Sequence, residues 1–296
     1  FLCIKIFDYG IYSDSKEFRD IALNLINGKG FSLNGLPTAY RMPGYPLFLA
    51  VIYKIFHSTL AVKIIQVFLE IGTGCLIYVF TRKNIGRQEA VIAFCSWMLL
   101  PVSILQPITL MSEGLFTMLF MGLVFIMTRE VSWKTTLLSA VLCGLLLLIK
   151  PFMLLFPVVF ALNFLRQVTM KKIIIHTGLF STIMIGCLLP WVIRNYKVLS
   201  APVISTNGGQ NLYIGNSAEA TGSYFEIASS NYPATADEVV INKHLSQQAK
   251  SFIISHPVAV IKKIPKKIAY LFSLESPTAI LLYGKGTIPD GLSYKM

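Results

Sequence analysis

Acidic residues are scarce in this chain: 14 Asp and Glu stand against 26 Lys and Arg, and charge of either sign makes up only 14% of 296 residues. A soluble domain carries about 25% charged residues, so a wholly water-facing protein of this length is excluded. No D-x-D motif occurs, which disfavours a metal-dependent enzyme acting on nucleotide sugars. His57, His176, His244 and His256 are scattered, leaving no metal cluster and no Ser/His/Asp arrangement for hydrolysis. Cys3, Cys75, Cys95, Cys143 and Cys187 lie in apolar stretches at unrelated spacings without a C-x-x-C pair, so neither zinc nor a disulfide framework is indicated and packing roles are expected. The N-G-G stretch at Asn207 lacks Walker spacing.

Apolar residues fill the chain instead, at 54% of the total with a mean hydropathy of +0.65. Six apolar stretches, at residues 61–81, 89–106, 112–128, 134–149, 151–165 and 173–192, stand against a spanning requirement of about 17–25 residues. Two look short. In so apolar a chain the net charge of +12 points to cytoplasmic loops and lipid head groups rather than to nucleic acid. Residues 1–7 read as the last turns of a first spanning helix, so the chain reads as a fragment.

Orientation follows from the short loops, because Lys and Arg are retained on the cytoplasmic side. Arg82, Lys83, Arg87, Arg129, Lys134, Arg166, Lys171 and Lys172 fall in alternate connections, whereas the intervening ones hold only Lys150. Six crossings over residues 61–192 then place residues 8–60 and 193–296 together on the extracytoplasmic side. Phe18, Ile21, Ala22 and Leu25 recur at helical spacing, predicting a membrane-lying helix over residues 14–27. Pro43, Gly44 and Pro46 open an apolar helix to about Phe56.

Beyond Trp191 the composition turns to Asn, Gly, Ser and Thr, and residues 205–225 predict turns and short strands. Farther on, Ile261, Ile264, Ile268, Leu271 and Phe272 share one helical face and Lys262, Lys263, Lys266 and Lys267 the other, with Pro265 kinking or restarting the helix: an interfacial basic helix. The fold class expected is mainly α, a polytopic transmembrane helix bundle with a small α/β or irregular extracytoplasmic domain on the C-terminal side.

YSDSKEFRDIALNLINGKGF (12–31), YRMPGYPLFLAVIYKIF (40–56), LMSEGLF (110–116), LLIKPF (147–152), LPWVIRNYKV (189–198) and STNGGQNLYIGN (205–216) together resemble the GT-C membrane glycosyltransferases of the protein O-mannosyltransferase and lipid A aminoarabinose transferase type. The resemblance implies a metal-independent, inverting transfer of a sugar from a polyprenyl-phosphate donor to an extracytoplasmic acceptor, which can be a protein, lipid A or a cell-surface glycan, in a bacterial inner membrane. No cofactor is implied. Asp14, with Phe18 four positions later, occupies the pattern of the proposed catalytic base; many relatives have an acidic pair and a Tyr where this chain has Asp14-Ser15 and Phe18, leaving the second acid vacant or transferred to Glu17. Asp14 can equally cap the helix.

Positive charge is wanted at the donor phosphate. Arg41 stands where relatives carry a basic residue and suits bidentate phosphate contacts, or else anchors at the interface by snorkelling. Lys150, between two apolar runs, faces a cavity or the lipid phosphate, or snorkels. Arg194 holds substrate phosphate or phospholipid. Glu113 complements a helix N-terminus and, in the resembling family, recurs near the acceptor or sugar site, for which Glu17, Tyr45 and Asn195 are further candidates. Gln66 and Glu70 form a polar stripe expected to make an interhelical hydrogen bond. A lipid-head-group transporter or flippase, and an inactive scaffold of a polysaccharide assembly complex, are the competing functions.

Overall fold

The computed structural model describes residues 13–165, 167–235 and 237–271, and the expected helix end at residues 1–7 and Phe272 lie outside them. The described residues are mostly helical and pack as two units, one taking those up to Pro37 with Met42–Ile204 and the other Thr38–Arg41 with those from Ser205 onward.

The first unit opens with α1 (Ser13–Ile26), whose Phe18, Ile21 and Ala22 are buried as their spacing predicts. A two-residue hairpin pairs β1 (Ser32–Leu33) with β2 (Leu36–Pro37) in antiparallel register. Its turn is Asn34-Gly35, both at positive φ (52° and 80°), the backbone that a tight hairpin demands and that Asn and Gly adopt most readily. α2 (Gly44–Phe56) follows Pro43, then α3 (Thr59–Asn84). α4 (Arg87–Leu99) and α5 (Pro101–Leu105), continued by a 3₁₀ turn at Gln106–Ile108, are bent by 54° at their junction, where Pro101 cannot donate to the preceding helix. α6 (Glu113–Met127), α7 (Trp133–Leu147), a 3₁₀ turn (Pro151–Leu155) running into α8 (Phe156–Phe164), and α9 (Met170–Leu199) complete the unit.

All six apolar stretches are helical, but they differ in reach. α3 and α9, of 26 and 30 residues, are long and apolar enough to cross a membrane, and a third crossing is added if bent α4–α5 is one span. α6 and α7 have 15 residues each, below the roughly 20 that a perpendicular crossing needs. Only 33% of the most apolar window of α3 and 28% of that of α9 is buried within the protein. Phe68, Ile92, Leu99, Leu155, Val158, Leu162 and Ile174 face outward. An apolar exterior on this scale suits hydrocarbon rather than water, so the chain has the features of a membrane protein. Two cysteines depart from the expected packing role: Cys143 is buried against Met184, but Cys75 and Cys95 lie on the exposed surface.

α9 runs seven residues past the expected end of the last span. Trp191 Nε1 donates to the Ile204 carbonyl (2.8 Å) and Asn195 Nδ2 to that of Val203 (2.8 Å), folding residues 200–204 back onto the helix. The boundary between units accordingly falls after Ile204 instead of Val192.

In the second unit the turns and short strands expected from Ser205 give way to α10 (Gly208–Asn216), followed by a 3₁₀ turn (Ser229–Asn231), α11 (Glu238–Ser255), α12 (Pro257–Lys262) and α13 (Ile264–Leu271). Asp237 caps α11 through the N–H groups of Val239 and Val240. Glu238 accepts from Thr38 Oγ1 (2.7 Å) and the Ala39 N–H (2.6 Å), fastening the short segment Thr38–Arg41 to this unit. One glycine of N-G-G serves helix packing: a Cβ on Gly209 would stand 1.9 Å from the Asn242 carbonyl oxygen, whereas one on Gly208 would find nothing nearer than 4.0 Å. Gly209→Ala is therefore expected to push α10 off α11 and destabilise this unit by about 3 kcal/mol, read as earlier proteolysis within residues 205–271. Gly208→Ala should leave the digestion profile unchanged.

Candidate functional site

The first turn of α2 sits against the end of α7. The Gly44 N–H donates to the Leu148 carbonyl (2.8 Å), and a Cβ on Gly44 would meet that same oxygen at 2.8 Å and Ile149 Cγ1 at 2.7 Å. Only glycine lets the chain pass this closely, and its position brings the next residue, Tyr45, into the packed interior, where it is 1% exposed.

Tyr45 meets a polar node on α3. The 3₁₀ turn at Gln106–Ile108 ends in carbonyl groups without helical partners, and Gln66 Nε2 donates to those of Pro107 (2.9 Å) and Thr109 (2.7 Å), while Gln66 Oε1 accepts from the Tyr45 hydroxyl. Burial first, then the charges of Glu113 and Tyr53, hold the Tyr45 phenol well above its ordinary value, so it remains a donor. The interhelical bond expected of the stripe is thus made by Gln66; Glu70 Oε2 is buried without a hydrogen-bond partner among the described residues. Tyr45→Phe leaves Gln66 Oε1 unsatisfied, and a loss of about 1–3 kcal/mol should appear as a lower unfolding temperature of the protein in detergent.

Glu113 opens α6, where its carboxylate complements the helix N-terminus. Lys150, just past α7, donates to Glu113 Oε1 at 2.7 Å. Lys150, set between two apolar runs, therefore has a counter-charge, from a residue 37 positions earlier that local pattern does not connect to it. Both side chains are partly exposed, at 30% for Lys150 and 43% for Glu113, so the pair is worth little as a brace. Its capacity is chemical. An ammonium has three N–H donors, and Glu113 takes one of them, leaving Lys150 able to receive an anion. Glu113 Oε2 is buried without a partner among the described residues.

α1 joins this cluster through Phe18, whose ring stands edge-on to Tyr45 at 5.1 Å between centroids. Asp14 lies one turn earlier on the same helix face, half-buried. Ser13 already belongs to α1, so Asp14 is a first-turn residue favoured by the helix dipole. Glu17, also half-buried, lies on the same helix. Tyr45, Glu113 and Lys150 are thus brought together, with α1 packed beside them.

Arg194 and Asn195 have a different setting. Arg194 donates to the Phe31 carbonyl (2.6 Å) and to Asn195 Oδ1 (3.0 Å), with its guanidinium over the rings of Phe31 (5.5 Å) and Trp191 (5.2 Å). Asn195 is fully buried. These contacts hold the segment after α1 against α9. Arg41 belongs to the second unit, where its guanidinium lies 5.0 Å from the centroid of the Tyr40 ring and Tyr40 donates to Gln210 Oε1 (2.8 Å). Shallow clefts in that unit run along His244, Gln248 and Phe252 and beside Gln210, Glu226 and Tyr232; no residue selected from sequence lines them.

Among the described residues no group of His, Cys, Asp and Glu is arranged to hold a metal ion. No family model, curated protein or solved structure matches this chain.

Proposed function

We propose that the chain is a multi-pass membrane glycosyltransferase that moves a sugar from a polyprenyl-phosphate donor to an acceptor outside the cytoplasm. The observation that carries this reading is the Glu113–Lys150 pair at the junction of α2, α6 and α7, with α1 packed through Phe18 onto Tyr45 of α2. A partly exposed ammonium next to helix ends suits an anionic lipid head group, and a carboxylate on the adjoining helix suits an incoming hydroxyl or amine. In this proposal α3, α4–α5, α6, α7, α8 and α9 make six crossings, the shorter helices lying within a local bundle.

The chemistry follows from those parts. The acceptor oxygen or nitrogen attacks the anomeric carbon, the bond from that carbon to the phosphate oxygen breaks, and its electron pair leaves with the polyprenyl phosphate. Asp14 takes the acceptor proton. Lys150 stabilises charge accumulating on the leaving group. Attack opposite the leaving group inverts the anomeric centre. Nothing in this sequence of steps calls for a metal ion.

The test feeds radiolabelled polyprenyl-phosphate hexose to membranes with and without the chain and follows label into protein, lipid A and glycan fractions. Label should leave the donor lipid only when the chain is present. Donor that crosses the bilayer with its sugar intact would replace this reading with a flippase, and label that never leaves would remove the enzyme.

A further inference from the structure

The last helices of the second unit turn an unexpected side outward. α12 and α13 carry Lys262, Lys263, Lys266 and Lys267 against Ile261, Ile264 and Ile268, and on a water-facing helix the lysines would face solvent and the isoleucines the domain. Here Lys263 Nζ donates to the Ser217 carbonyl (2.9 Å) and Lys267 Nζ to Asn216 Oδ1 (3.0 Å), both at the C-terminal end of α10. Cations complement that end of a helix. Two lysines are thereby turned inward.

The isoleucine edge remains outside. Ile261, Ile264 and Ile268 are 62%, 45% and 51% exposed, and Ile254 and Val258, at 80% and 62%, extend the row back into α11. Apolar surface grouped this way marks an interaction site. Its charge identifies the occupant: between Val239 and Leu271 the sequence has Lys243, Lys250, Lys262, Lys263, Lys266 and Lys267 and no acidic residue. Lys262 and Lys266 flank the row and are exposed. Branched aliphatics beside exposed ammonium groups, that of Lys266 standing 5.7 Å from the Tyr270 ring centroid, suit the boundary between acyl chains and anionic head groups. A bilayer is at hand, because the same chain has helices long and apolar enough to cross one.

We propose that Ile254, Val258, Ile261, Ile264 and Ile268 dock the second unit onto an anionic bilayer surface, with Lys262 and Lys266 reaching lipid phosphates and Lys263 and Lys267 serving only the protein's own packing. This stands whether or not the chain transfers sugar. It divides four neighbouring lysines into two functional pairs, which composition alone does not.

The experiment places the photo-crosslinker p-benzoylphenylalanine at position 261 or 264, with position 247 as control, in the full chain reconstituted into vesicles of phosphatidylglycerol with phosphatidylethanolamine or of phosphatidylcholine alone. Mass spectrometry identifies the adducts. Lipid adducts should predominate at 261 and 264 in the anionic vesicles and fall in phosphatidylcholine. Lys262→Gln with Lys266→Gln should lower the docked-to-undocked ratio by about 25-fold, at about five-fold per lysine, whereas Lys263→Gln with Lys267→Gln should leave the lipid preference unchanged and loosen α13 from α10. Adducts at 261 to residues 272–296 or to a second copy would overturn the proposal, as would equal lipid labelling at 247 or indifference to lipid charge.

Discussion

Asp14→Asn should lower the rate of sugar transfer by about 10²–10⁴-fold, the usual contribution of a positioned general base, while the protein still folds. The substitution keeps the shape of the side chain and removes its capacity to accept a proton. It also removes the attraction between a carboxylate and the α1 N-terminus, about 0.3–1 kcal/mol, in a helix fastened by the buried Phe18, Ile21 and Ala22. Glu17→Gln, on the same helix, is the control and should leave transfer nearly intact. Rates are best read from single-turnover transfer in proteoliposomes with excess donor, so that altered binding is not mistaken for altered chemistry. An Asp14→Asn protein as fast as its parent would remove Asp14 as the base.

Lys150→Met should cost about 10²–10³-fold in transfer, the scale on which removal of one preorganised stabilising donor is felt. The Glu113 pair makes a sharper comparison possible. If Lys150 served only to neutralise Glu113, then Glu113→Gln added to Lys150→Met would restore activity, because neither charge would remain. If Lys150 receives the donor phosphate, the double variant stays as slow as Lys150→Met alone, and Glu113→Gln alone is the milder lesion. Slow turnover in the double variant is the expected result; recovery would reassign Lys150 to structure.

Helices whose signals are local were legible in the sequence. The spacing of Phe18, Ile21 and Ala22 marked α1, Pro43 and Gly44 marked the start of α2, and Pro265 marked the restart that separates α12 from α13. Residues 208–216 depart from the turns that their Asn and Gly content predicts, because Gly209 is small so that α11 can approach. The site was legible as a set of candidates and not as contacts: Lys150 with Glu113, and Tyr45 with Gln66, join across 37 and 21 residues, and no periodicity carries information over such distances. Gln66 was noticeable as a polar residue in an apolar run. The carbonyls it serves lie where the 3₁₀ turn after α5 stops at Ile108, a stop that Pro107 marks in the sequence without showing which helix lies beside it.

α9 has 30 residues, about 45 Å of helix, against roughly 30 Å of hydrocarbon in a bilayer. Its far turns are tied to Phe31, Val203 and Ile204, so the surplus cannot simply fray away. Such a post converts membrane thickness into leverage: in a thinner or thicker bilayer it must lean or stand, and the segment strapped to its head moves with it. The acyl-chain length of the host lipid would then act as a setting on the segment that follows α1.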